Sequence, residues 1–176
     1  MTRENNESQL TRLIWHYTTG RHFPSILKER KIRNEISFFV PPPQLPVTWF
    51  SLNQVWEPTA SKVSFRVKVE PMFLRDANSL ACDGLFRIGV DPSDAPFRIR
   101  QLIKVARSDR MTVTALIRSG LRFGANPKDW RFTPNEVFED RWRAIQVWDE
   151  ESETWVPYEH ERRIPIRRDE LVGAFD

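Results

Sequence analysis

Few side chains in this chain of 176 residues could do chemistry, and their spacing narrows the choice further. The three histidines are His16, His22 and His160, and no pair has the i,i+4 spacing that puts two imidazoles on one helix face around a metal. No metal site is therefore expected. The one cysteine, Cys82 in "LACDGLF", has no neighbouring base and reads as a small core residue. None of the six glycines forms a phosphate-cradling loop. That leaves "IWHYTT", in which strand alternation puts Trp15 and Tyr17 on one face and Ile14 and His16 on the other. His16 could offer a ring N–H to a ligand sugar, with Thr18 adding a hydroxyl. Equally, His16 could be a satisfied core histidine, with Thr18 or Thr19 capping the next helix.

A second stretch, "TWFSLNQVWEPTASK", concentrates Trp49, Phe50 and Trp56 with Ser51, Asn53, Gln54, Glu57, Thr59 and Lys62. Aromatic walls with a few hydrogen-bonding groups suit a planar, polar-substituted ligand. One of Trp49 and Phe50 must point into a core. Trp56 and Glu57 fall in a segment of turn composition, where a large aromatic and a carboxylate have less structural reason to sit.

The elements that must position these groups can be read from periodicity. "LIWHY" is a short buried strand, and a helix carrying Phe23, Ile26 and Leu27 follows, with Pro24 in its first turn. "PPPQLP" (41–46) is a rigid extended connector, and "VTWFSL" (47–52) a second strand. "KVSFRVKVEP" (62–71) alternates as a strand, and "LFRIGV" (85–90) is another. Ile99, Leu102, Ile103 and Ala106 follow helical spacing, "MTVTALIRSG" continues as a helix stopped at Gly120, and "RAIQVWDEESETWVPYE" is a hairpin. Strands and helices mix without βαβ alternation. The expected architecture is α+β: a single domain over 11–176 behind a flexible tail over 1–10, with a mainly antiparallel β core and a few short helices. No apolar run is long enough to span a bilayer, the first ten residues lack a signal-peptide core, and a lone cysteine suits a reducing compartment. A cytoplasmic location is expected.

The net charge of +3 conceals segregation. Nine Lys/Arg lie between Arg98 and Arg131 against Asp109 and Asp129, whereas nine acids lie between Phe132 and Glu161 against Arg141 and Arg143. Arg100, Lys104 and Arg107 form a basic stripe, the footprint expected of a nucleic-acid-binding face. A solvated face attracted to the acidic stretch of the same fold is the plain counter-reading.

"IWHYTTGRHFPSILKERKIR" followed by "VTWFSLN" resembles the opening of the ADP-ribosyltransferase superfamily in its His-Tyr-[Glu/Asp/Gln] branch. The resemblance covers roughly the first third of the chain. It implies a split, mainly antiparallel β core with NAD in a cleft, where His16 holds a ribose and Thr18 supports it. Tyr17, Ser51 and Trp56 would line the same cleft, and Trp49 or Phe50 would stack on nicotinamide. The only tyrosines are Tyr17 and Tyr158, so the family's mid-chain tyrosine is absent. Its third motif residue, normally on a late strand, is matched best in position by Gln146, with Glu136 and Glu139 just upstream as weaker matches. Glu57 is a separate candidate for a catalytic carboxylate. Arg87 and the basic helix over 98–110 would hold the NAD pyrophosphate or a nucleic-acid acceptor.

What the resemblance implies is transfer of ADP-ribose from NAD to a macromolecule, with nucleic acid a candidate acceptor, in a bacterial or phage-type toxin or defence factor that would have an antitoxin or other protein partner and no membrane partner. Two other functions fit the same residues. One is a non-catalytic nucleic-acid-binding module that stacks bases on its aromatics. The other is a metal-independent nuclease using His16 and Glu57 as acid and base.

Overall fold

The computed structural model describes residues 12–34, 43–60 and 83–159. The strand expected over 62–71, Cys82, Lys62 and His160 lie outside these residues.

The apolar run before His16 folds as β1 (Ile14–Thr19), and β1 becomes the middle strand of a seven-stranded sheet. In sequence order the elements are β1, α1 (Phe23–Glu29), β2 (Lys31–Ile32), β3 (Thr48–Ser51), β4 (Leu85–Val90), β5 (Phe97–Arg98), α2 (Leu102–Val105), α3 (Arg110–Arg122), β6 (Trp130–Thr133), β7 (Val137–Phe138), β8 (Trp142–Asp149) and β9 (Thr154–Pro157). The large sheet runs β5-β6-β3-β1-β4-β8-β9 with every pairing antiparallel, and β2 pairs with β7 in a separate two-stranded sheet. The fold is α+β with a mainly antiparallel β core.

Strand alternation and register give the large sheet two faces of different chemistry. Trp15, Tyr17, Trp49, Ser51, Arg87 and Gln146 share one, called here the tryptophan face. Ile14, His16, Thr18, Phe50, Phe86 and Ile88 share the other, the histidine face. On the tryptophan face, α2, α3 and the 52–60 segment cover the sheet, burying Leu102, Ala106, Val113, Trp130 and Phe132 in one cluster and Trp15 and Tyr17 in another. On the histidine face, α1 and the small sheet cover Ile14, Phe50, Phe86 and Ile88 with Phe23, Ile32 and Val137. Phe23 stacks on Phe86 with centroids 4.1 Å apart and planes 13° apart, a pair worth about 1 kcal/mol beyond its burial.

Local chemistry explains where the sequence reading needs correction. His22, not Thr18 or Thr19, is the N-cap of α1, because both threonines complete β1. Arg30 takes a left-handed conformation (φ 54°) to end α1 and turn the chain into β2. Gly120 does not stop α3, which continues to Arg122. A Cβ at Gly120 would lie 2.3 Å from the Trp130 indole, so this glycine serves close packing. The helical spacing from Ile99 resolves into a 3-10 turn (Ile99–Gln101) and the short α2, with Ile103 exposed. Among the described residues no helix is long and apolar enough to cross a membrane.

Candidate functional site

Glu57 is buried on the tryptophan face, although its segment has the composition of an exposed turn. One oxygen, Oε2, accepts from Ser51 Oγ at 2.7 Å. The other, Oε1, accepts from Thr59 Oγ1 at 2.6 Å, Thr59 N at 3.3 Å and Trp130 Nε1 at 3.1 Å. Both oxygens are therefore engaged, with three of the four bonds converging on Oε1. The expectation that Glu57 has little structural reason to be there is corrected: it fastens the 51–60 segment to β3 and β6. The Ser51 hydroxyl belongs to the same fastening, accepting from Asn53 N at 3.1 Å.

Arg87 is equally enclosed. Its guanidinium lies between two indoles, 4.0 Å from the Trp15 ring centroid and 4.5 Å from that of Trp155. Nε donates to Gln146 Oε1 at 2.7 Å, and Nη1 donates to the Gln54 carbonyl. A Cβ at Gly89 would lie 2.8 Å from the Trp15 ring, so Gly89 makes the space for that indole. Tyr17 donates to the Asn53 carbonyl at 2.6 Å and meets Trp56 edge-on at 5.3 Å. Burial pushes the Tyr17 hydroxyl up to about 12, opposed by the neighbouring Arg87 charge, and burial lowers Arg87. Trp15 Nε1 to Gln54 Oε1 (2.7 Å) and Trp155 Nε1 to the Val55 carbonyl (2.7 Å) complete the set. Arg87, Tyr17, Trp15 and Trp155 thus clamp the 52–57 segment. Trp49 shares this face, packed against Trp130 and Phe132.

The histidine face is organised differently. His16 is half-buried on the central strand in an apolar row, between Phe50 on β3 and Ile88 on β4. Its Nδ1 lies 2.9 Å from the Trp49 carbonyl, which can only accept, so Nδ1 carries the proton. The imidazole meets Phe50 edge-on at 5.7 Å and 61°. Thr18 is buried two residues further along the same face. Next to Trp49 in β3, Thr48 Oγ1 donates to Asn34 Oδ1 at 2.5 Å, with the Asn135 carbonyl at 3.3 Å. Asn34 Nδ2 in turn donates to the Pro134 carbonyl at 2.5 Å. Consecutive residues of β3 therefore hold His16 and the turn that leads to Glu136. Glu136 is half-buried at the entry to β7 and receives both its bonds from Lys31 Nζ, at 2.7 and 2.9 Å. Glu139, more exposed, pairs with Arg30 at 2.5 Å.

Register extends the row of His16 outward. Phe50 pairs with Arg131 on β6, and Arg131 with Arg98 on β5. Arg131 is steadied by Nη1 bonds to the Lys128 and Trp130 carbonyls, both at 2.8 Å. Its pKa is lowered by partial burial and then by Arg98, with Asp129 opposing. Neither arginine has a carboxylate partner among the described residues. Arg100, Lys104 and Arg107 are exposed on the helical layer outside the tryptophan face.

The structure therefore does not gather the sequence-derived residues into one cleft. Tyr17, Trp49, Ser51, Trp56, Glu57, Arg87 and Gln146 lie on one side of the sheet, and His16, Thr18 and Phe50 on the other. Sequence reasoning missed Arg131 and took Arg98 as part of a basic helix, whereas Arg98 lies on β5 and the alignment of both with His16 depends on strand register. It ranked Glu136 low because β7 is only two residues long. Among the described residues, no group of three or more His, Cys, Asp or Glu could hold a metal ion. Comparison with protein-family models, curated proteins and solved structures finds no match to this chain.

Proposed function

We propose that the protein is an ADP-ribosyltransferase that uses NAD, with its site on the histidine face and not among the residues around Glu57. The observation that carries this reading is the row His16–Phe50–Arg131–Arg98: a fixed imidazole at the sheet centre, then two arginines without acidic partners. A ribose attached to a diphosphate has the same order of chemistry, hydroxyls followed by two negative charges. His16 holds the ribose, as the sequence resemblance implies, and Thr18 supports the strand beside it. Arg131 and Arg98 hold the diphosphate, the role the sequence reading gave to Arg87 and the basic segment over 98–110.

Bound NAD supplies a ribosyl carbon whose bond to nicotinamide breaks as a bond to the acceptor forms. The chain supplies binding, orientation and a carboxylate. Glu136 takes the place first given to Gln146 and Glu57, orienting a ribose hydroxyl and accepting the acceptor's proton, while Lys31 holds it in position. A glutamine cannot take that proton, and Glu57 is buried on the opposite face of the sheet with both oxygens already hydrogen-bonded. Such an activity suits a toxin or defence factor held in check by a protein partner.

The test is incubation with labelled NAD and mixed protein, DNA and RNA acceptors, with thermal shift by NAD as an acceptor-independent readout. Label transfer that disappears in Glu136→Gln, and a thermal shift that disappears in His16→Ala and Arg131→Ala, are expected. No thermal shift and no transfer would end this reading.

A further inference from the structure

The helical layer over the tryptophan face has a surface the site does not use. Helix α2 buries Leu102 and leads into buried Ala106, while α3 buries Val113 and Gly120, all beneath the same cover of the β5-β6-β3 end of the sheet. Their opposite sides consequently face outward together. That outward surface carries Arg100, Lys104, Arg107, Arg110, Arg118 and Arg122, every one exposed. From Arg110 to Arg122, α3 contains no acid and spans about 18 Å at 1.5 Å per residue.

The cations here differ from those around the small sheet and at the start of β8. Among the described residues, Arg30, Lys31, Arg33, Arg141 and Arg143 all make ion pairs. None of the six on the helical layer makes one with a described residue. The two acids within the basic stretch do other work. Asp109 caps α3, accepting from Thr112 N at 2.8 Å and Thr112 Oγ1 at 2.6 Å, and Asp129 accepts from Asn126 Nδ2 at 3.0 Å. Six exposed cations of one helical layer are thus left without a carboxylate partner among the described residues.

We propose that the outer surface of α2 and α3 docks the phosphodiester backbone of a nucleic acid. Charge complementarity selects this occupant. Five of the six cations are arginine, whose fork matches phosphate oxygens, and their spread from the 3-10 turn before α2 to the last residue of α3 suits a linear polyanion. The exposed large apolar side chains of α3, Met111, Leu116 and Leu121, are spread around the helix in steps of about 140° and make no continuous stripe of the kind a membrane-surface helix needs. The same cationic character continues to Arg98 and Arg131 at the β5–β6 edge, beside the row of His16. A bound strand would thereby reach the proposed transferase site as its acceptor. Only that last step rests on the transferase reading, because docking itself needs no NAD.

The experiment measures anisotropy of labelled 20-nucleotide single-stranded DNA, its duplex and the matching RNA, without NAD. Affinity should fall about a thousandfold between roughly 50 and 200 mM salt if about six phosphates are neutralised. Arg110→Ala/Arg118→Ala/Arg122→Ala should bind more weakly for every sequence, with a log–log salt slope smaller by about two to three. Arg30→Ala, remote from the layer and ion-paired, should bind as the parent does. An unchanged circular dichroism spectrum shows that the triple variant has folded. Should it not fold, Arg118→Glu alone serves, with a tenfold or greater loss expected. No binding at about 50 mM salt, an unchanged salt slope, or equal affinity for polyglutamate or anionic vesicles would overturn the proposal. Binding without NAD-dependent thermal shift would leave the docking surface standing and remove the transferase.

Discussion

The two faces of the central sheet use polar residues in opposite ways. On the tryptophan face Glu57 and Arg87 are buried charges, each held by neutral partners: hydroxyls and an indole N–H for the carboxylate, two indole rings and two amide oxygens for the guanidinium. On the histidine face His16 is half-open, and Arg98 and Arg131 are without acidic partners. A charge enclosed by hydrogen bonds is committed to structure, because removing its partners would strand it at low dielectric. A cation left in partial contact with water keeps its capacity for a ligand. Residue type alone does not distinguish the two cases.

That contrast predicts a division between stability and ligand response. Glu57→Ala should have the largest effect on folding, about 3 kcal/mol by urea denaturation, since it leaves the Trp130 indole N–H and the Thr59 groups without their acceptor. A loss below 1 kcal/mol would break the comparison at its strongest point.

Tyr17 gives a pH test. Its folded pKa, about 12, lies above the unfolded value of 10, so the folded state keeps a proton that the unfolded chain releases. The associated stability is fully present below pH 10 and is lost as pH rises toward 12, by up to about 3 kcal/mol. Tyr17→Phe should lack that part of the alkaline decline, measured as the difference between the two proteins' denaturation midpoints.

Arg87→Met should cost about 2 kcal/mol through lost cation–π contacts and an unpartnered Gln146, with NAD-dependent thermal shift retained. Loss of that shift would return Arg87 to the ligand site. His16→Ala should cost about 1 kcal/mol and abolish the shift. The smallest effect on folding belongs to Glu136→Gln. It replaces one side of a partly exposed ion pair and should change stability by less than about 0.5 kcal/mol while removing transfer. A variant of normal stability and unimpaired transfer would exclude Glu136 from catalysis.

Much of the framework was legible in local pattern. The "IWHYTT", "TWFS" and "LFRIGV" strands, the helix after His22 and the hairpin over 142–157 each follow a period or a turn signal that a short window contains. The strands β5 and β7 were not, since two-residue strands leave no periodicity to read. The site was legible only as a roster. "WEPTA" has a turn's composition, yet its carboxylate is drawn inward by Trp130, a residue 73 positions away. Gly120 likewise reads as a helix stop until the indole packed against it is seen.

The sequence by itself determined the α+β class, the opposed faces of "IWHY" and the basic character of 98–131, because alternation, β propensity and charge are local properties. Which side of the sheet each polar residue occupies, and whether its charge is enclosed or left for a ligand, was decided by tertiary structure. Antiparallel register between distant strands aligns Arg98, Arg131, Phe50 and His16 in one row and folds the 52–60 segment over the other face. Pairing of this kind depends on neighbours dozens of residues apart, so no local window contains it.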